Sequence, residues 1–195
     1  MGAADNKPRV DFPGSSPWVL AVGGTHINVS GERIASEVVW NDSDSDGGAT
    51  GGGVSTLFPK PNWQDQVNVP ANYQGHSGRG IPDVAITASP QAGYEVFVAG
   101  QKLIFGGGTG ATPLWGGLIA LINQGLGHNV GYINPVLYTK LGPAGVLHGV
   151  TEGNNGVRGA KGYSAGPGWN ATAGWGSPDG RKLLQAFRSL GADTQ

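Results

Sequence analysis

Short apolar runs and alternating segments dominate the first half of the chain, and helical spacing is confined to the second half. Residues 18–23 (WVLAVG) form a brief apolar run that closes on Gly23-Gly24 and predict a buried strand. Residues 25–31 (THINVSG) and 33–40 (RIASEVVW) alternate and predict two further strands, and 81–88 (IPDVAITA) predict another buried one. Residues 62–70 (NWQDQVNVP) predict a short helix. The stretch YEVFVAGQKLIFGG, 94–107, reads as a hairpin turning at Ala99-Gly100.

Helical spacing begins after that hairpin. Leu114, Leu118, Leu121 and Ile122 recur on one helical face, while Gly116, Gly117 and Ala120 predict close approach of a neighbouring backbone. Pro113 fits the first turn of this helix, where no intrahelical donor is needed. Residues 134–141 and 179–190 predict two more helices, the second with Asp179 as its N-cap. Residues 148–178 lie between them without periodicity. An irregular segment of that length in a compact domain binds something or is pinned by something.

Composition narrows the function classes. The chain has 195 residues, read as a single domain 1–195, with 13% charged residues and 37 glycines. Few charges and many glycines predict a loop-rich globular fold rather than a disordered chain. A net charge of −1 offers no footprint for nucleic acid or an anionic membrane, and no apolar run reaches spanning length. The absence of cysteine removes disulfides, thiolate metal sites and a thiol nucleophile. The opening residues MGAADNKPRVDF lack the apolar stretch of a signal peptide, which leaves the compartment undetermined.

Candidate chemistry centres on IFGGGTGATPLWGGLIALINQ, 104–124, a glycine turn feeding a helix. Backbone N–H groups and the positive dipole end gather at such a turn. Enzymes place a nucleophile there; glycines also simply let a strand meet a helix closely. Residue patterning alone leaves both readings open. Residues 41–55 (NDSDSDGGATGGGVS) have Asp-x-Asp spacing but no glutamate at the distance a calcium loop requires, and read as a solvated loop. His26, His76, His128 and His148 show no ligand spacing. Asn170-Ala171-Thr172 is a formal glycosylation sequon. Trp169 and Trp175 read as packing anchors, or as an exposed aromatic cluster for peptide or sugar.

The segments VDFPGSSPWVLAVGGT (10–25), VVWND (38–42), TGGGVSTLFPKPNWQ (50–64) and SGRGIPDVA (77–85) resemble the sedolisins, the kumamolisin-like serine-carboxyl peptidases. So do GYINPVLY (131–138), TEGNN (151–155) and AGPGWNATAGWGSP (165–178), which extend the resemblance along nearly the whole chain. The resemblance implies an α/β fold: the C-terminal portion of a subtilisin-like domain, with a partly parallel central sheet and flanking helices. It implies acid endoproteolysis by a serine nucleophile, a glutamate base, an aspartate that orients it and a second aspartate at the oxyanion site. It also implies one structural calcium and secretion.

The chain departs from that pattern at its chemistry. The family turn reads Ser/Gly-Gly-Thr-Ser-x-x-x-Pro. Aligned on Pro113, Thr109 holds the serine position; aligned on the preceding Gly-Gly-Thr, Gly110 holds it. The glutamate and its partner belong to an N-terminal half that has no counterpart here, and no Gly-Asp-Ser-Gly motif precedes Asp11. Asp5 reads as a terminal carboxylate. The implied calcium positions are Val150, Gly166, Gly168 and Asn170, but both family aspartates are replaced, by Gly149 and Asn170. Hence no cofactor is expected and no tight calcium, with hydrogen bonds of the Asn170 amide keeping the loop path. Asp83 reads as a backbone anchor. The expectation is a sedolisin-type chain inactive by itself. Its alternatives are one half of a split peptidase using Thr109, or a peptide- or carbohydrate-binding module or other enzyme reusing the cleft. The implied partners are a polypeptide substrate or ligand and, at an exposed sheet edge or apolar face, a complementary N-terminal half or a second copy.

Overall fold

The computed structural model describes residues 10–45, 47–157 and 159–192. β1 (Val22–Ser30) takes only Val22 and Gly23 from the first predicted strand and runs on through the second; residues 18–21 precede it as irregular chain, with Trp18 77% exposed. Gly23 and Gly24 lie inside it rather than ending it. A Cβ on Gly23 would stand 2.6 Å from the Pro82 ring, and one on Gly24 2.8 Å from Ala88, so these glycines permit close packing. β2 (Arg33–Val39) returns antiparallel, with a register shift at Asn28/Val29.

The loop beyond β2 is solvated only in its first part; Thr50, Val54 and Ser55 are buried. β3 (Gly53–Val54) pairs with β4 (Gly80–Ile81), and the helix predicted near Trp63 is a single tight turn, Asn62–Gln64. β5 (Val84–Thr87) lies parallel to β1, from Val22↔Val84 to Thr25↔Thr87. The main sheet therefore runs β2-β1-β5 and is partly parallel. β6 (Tyr94–Val98) and β7 (Gln101–Phe105) form the predicted hairpin. Its turn residues Ala99 and Gly100 both have positive φ, 50° and 77°, as a two-residue hairpin turn of this twist demands.

α1 (Gly108–Leu126) starts five residues before Pro113, so the proline lies inside the helix rather than in its first turn. Its missing N–H frees the Thr109 carbonyl from the helical ladder. α2 (Asn134–Val136) continues in wider turns over Leu137–Leu141. β8 (Leu147–His148) and β9 (Ser177–Pro178) pair and pin both ends of the long irregular segment. α3 (Gly180–Ala192) begins under Asp179, whose Oδ1 accepts the Arg181 and Lys182 N–H groups at 3.1 Å each, as the sequence predicts. Among the described residues no helix is long and apolar enough to cross a membrane.

α1 packs on one face of the sheet through Trp115 and Ile122, in a core shared with Val84, Leu137, Tyr138, Leu141 and Leu183. The Trp115 indole N–H donates to the Ala85 carbonyl at 2.9 Å. The opposite face carries a smaller cluster of Val39, Ala85, Val150 and Ala173.

A buried polar network joins these layers. Arg79 and Asp83, both 0% exposed, pair at 2.7 Å. The same Asp83 carboxylate accepts the Ala21 N–H at 2.7 Å and the Tyr138 hydroxyl at 2.8 Å. Gln64 donates to Tyr138 Oη and to the Gly80 carbonyl and accepts the Gly80 N–H. Arg79 lies 4.9 Å over the Trp63 ring and donates to the Gly80 carbonyl. Burial raises the Asp83 carboxyl above the ordinary aspartate range, opposed by Arg79, the Ala21 amide and Tyr138. Burial, reinforced by the Asp83 charge, pushes the Tyr138 phenol well above its usual value.

Breaking a buried pair from one side leaves an uncompensated charge, which costs about 3–5 kcal/mol. Arg79→Met is therefore expected to lower the unfolding free energy by about that amount in urea titration. A loss below about 1 kcal/mol, the range of a solvated surface pair, would contradict the arrangement.

Candidate functional site

The glycine turn 106–108 carries the chain from β7 into α1. A Cβ on Gly106 would stand 2.6 Å from the Pro90 nitrogen, so only glycine passes there. Gly107 takes φ 84° at the N-cap and anchors to the Ala88 carbonyl at the end of β5. The Gly110 and Ala111 N–H groups turn back to the Gly107 carbonyl. Those of Gly108 and Thr109 have no hydrogen-bond acceptor among the described residues. Two adjacent free N–H groups at the positive end of a 19-residue helix suit an anionic oxygen.

Thr109 is exposed, and among the described residues no side chain hydrogen-bonds its hydroxyl. Gly110 lies one step further along the helix; a Cβ there would meet the Tyr94 ring at 3.5 Å, an ordinary contact. A cleft of about 570 Å³ opens beside this end of the helix. Gly108 and Thr112 line it, and Thr109 does not. Thr112 is thus a hydroxyl the sequence reading passed over, although it sits four residues after Gly108 on the same helical face. Phe12, Trp40, Thr50 and Pro82 form other walls, and Asp11 is the one acidic residue among the described lining. Asp5 lies outside the described residues.

The remaining candidates are structural. Asp42 accepts the Trp40 indole N–H at 2.8 Å and the Ser89 hydroxyl at 2.7 Å, which fixes the Asp-x-Asp loop from within. Among the described residues no group of three or more histidines and acids is gathered as metal ligands. Trp169 is buried, and Trp169 and Trp175 both pack against Tyr138, tilted and edge-on, with centroids 6.4 and 6.0 Å away. They form no exposed aromatic platform. Gly116 and Gly117 do not serve close approach as predicted: a Cβ on either would meet nothing within 4 Å.

One carboxylate escaped the sequence reading. Glu37, with a 3% exposed side chain, accepts the Thr25 hydroxyl at 2.6 Å, the Ser177 hydroxyl at 2.7 Å and His148 Nδ1 at 3.0 Å. It ties the β8–β9 pair to the sheet. Thr25 lies 12 residues away across the β1–β2 pair, and His148 and Ser177 lie 111 and 140 away, so no local pattern brings the three together.

At the implied calcium positions the Asn170 amide nitrogen donates to the Val150 and Gly166 carbonyls at 3.0 and 3.1 Å. Its oxygen accepts the Thr172 hydroxyl at 2.6 Å and the Ala173 N–H at 3.0 Å. The sequon asparagine is therefore buried and fully engaged.

No protein-family model matches the chain. It is 50% identical to kumamolisin of Bacillus sp. (strain MN-32) over 197 aligned residues, covering 100% of this chain and 35% of that protein. It is 38% identical to sedolisin of Pseudomonas sp. (strain 101), covering 93% of this chain and 31% of that protein. A solved structure of Pseudomonas sedolisin, a serine-carboxyl proteinase complexed with two molecules of pseudo-iodotyrostatin, superposes with a TM-score of 0.82. That match has 36% identity and covers 92% of this chain and 49% of the sedolisin chain. The chain spans about a third of the length of the curated relatives it matches.

The turn retains room for a side chain at Gly110. Gly110→Ser is expected to fold with a stability change within about 0.5 kcal/mol of zero, its helix-propensity gain offsetting contact with Tyr94. A fall of more than about 2 kcal/mol in chemical denaturation would show that glycine is required there.

Proposed function

Since this chain is a homologue of the sedolisin–kumamolisin family that matches about a third of its curated relatives, we propose that it carries the nucleophile turn of an acid serine peptidase and is inactive by itself. The exposed Thr109 hydroxyl, with no base bonded to it among the described residues, carries this reading. A neutral hydroxyl is a weak nucleophile without an adjacent base. General-base catalysis typically contributes ~10²–10⁴ in rate, and the threonine methyl restricts χ1 where a serine would turn freely. The free N–H pair at Gly108 and Thr109 keeps a cradle for an oxyanion, so the turn binds charge that it has no means to generate. The cleft beside it suits an extended polypeptide ligand.

A second reading rests on the outer face of α1. Leu114 is 42% and Leu121 65% exposed, and with Gly117, Ala120, Ile86 and Pro178 they line an open apolar groove of about 940 Å³. A helix apolar all round belongs in an interior. The occupant we infer is the polypeptide that supplies the part of the fold this chain does not match, since the solved sedolisin chain is aligned over only 49% of its length. Its apolar surface would cover this groove and bring the missing carboxylates.

The purified chain is expected to leave a denatured protein substrate uncleaved at acid pH and to remain unlabelled by a fluorophosphonate. Cleavage lost in Thr109→Ala would refute the inactive reading. Mixed with a separately produced polypeptide carrying the unmatched portion of Bacillus kumamolisin, it is expected to sediment as a 1:1 complex that Leu121→Lys abolishes. A monomer in that mixture, or a homodimer abolished by the same substitution, would overturn the proposed occupant.

A further inference from the structure

The loop that the family resemblance marks for calcium is held here by a side-chain amide. Asn170 joins two segments 20 residues apart by donating to Val150 and Gly166. The orientation of the amide follows from its partners. The Ala173 N–H, 3.0 Å from the Asn170 side-chain oxygen, and the Thr172 N–H, 3.3 Å away, can only donate. The Val150 and Gly166 carbonyls can only accept. The atom facing the two carbonyls is therefore the NH₂ group, and a flipped amide would set oxygen against oxygen on one side and hydrogen against hydrogen on the other.

Calcium needs six to eight oxygens at about 2.3–2.6 Å, several of them anionic. The residues present do not fit it. The two carbonyls that would ligate the ion point at N–H hydrogens, Gly149 offers no side chain, and Asn170 turns its oxygen away toward Thr172 and Ala173. We propose that the Asn170 NH₂ group takes the place of a structural cation, so that residues 147–178 of this chain keep their path without metal.

The surroundings leave room for the converse. A Cβ on Gly149 would meet nothing within 4 Å, so the loop has space for a carboxylate where a metal-binding version would carry one. Metal dependence is then decided by side-chain chemistry at positions 149 and 170 rather than by backbone path.

The test compares the chain with two variants, using calcium chloride and EDTA as the probes. The wild-type Tm is expected to be the same in both, with no heat of calcium binding at millimolar concentration and a slowly exchanging Asn170 side-chain NH₂ resonance that calcium does not shift. Asn170→Asp sets a carboxylate against two carbonyls and is expected to melt lower in EDTA and to recover with calcium. Gly149→Asp/Asn170→Asp is expected to show a Tm that rises with calcium concentration, as ligand linkage requires. The proposal is overturned if calcium raises the wild-type Tm or perturbs the Asn170 amide resonance. It is equally overturned if Asn170→Asp melts in EDTA as the wild type does. The resonance measurement on the unmodified chain decides the matter even if a variant fails to fold.

Discussion

The buried Arg79–Asp83 pair is the interaction on which the rest of the structure depends. Asp83 sits one residue before β5 and bonds the Ala21 N–H one residue before β1, so a single carboxylate sets the two parallel strands side by side. Through Tyr138 it holds the helical segment after Asn134 against the sheet, and through Arg79 and Gln64 it fixes Gly80 in β4. The network is nearly closed, with Arg79 Nε left without a partner among the described residues, and an unpaired buried charge would cost more than the pair itself contributes. Register, helix placement and the small β3–β4 ladder are thus consequences of one electrostatic requirement.

That requirement reaches the candidate site through backbone bonds and one indole. β5 ends at Thr87, Ala88 receives the Gly107 N–H, and α1 starts immediately after. Trp115 then anchors the helix to the Ala85 carbonyl about two turns further on. The position of the free N–H pair follows from where β5 ends and from glycine geometry at 106 and 107. None of these constraints involves the side chain at 109 or 110. The shape of such a turn is therefore set by backbone and glycine geometry, whatever residue stands at 109 or 110.

What was legible in the sequence had local causes. The Ala99-Gly100 hairpin, the Asp179 cap and the apolar strand around Val84 each follow from residues within a few positions. Asp83 as a backbone anchor was legible only through the family resemblance. The misread elements depended on distant neighbours. Gly23 and Gly24 look like a strand end until Pro82 and Ala88 press against them. Pro113 looks like a helix start because nothing local reveals that glycines 108 and 110 are already helical. Gly116 and Gly117 look like packing contacts, yet face open space. The Glu37 cluster is invisible to any window, since sequence order says nothing about which hydroxyls converge on a carboxylate.

The apolar outer face of α1 and the amide at Asn170 differ in what can satisfy them. A hydrophobic face has no internal substitute: covering Leu114 and Leu121 takes as much apolar area as they expose. A cation can be replaced locally, because what the Val150 and Gly166 carbonyls require is positive charge density, not a particular element. Exchanging one carboxylate oxygen for an NH₂ group delivers two partial positive charges at hydrogen-bond distance with almost no change in shape. A side-chain amide can therefore hold such a loop's path from within, whereas an exposed apolar helix face has no such local substitute.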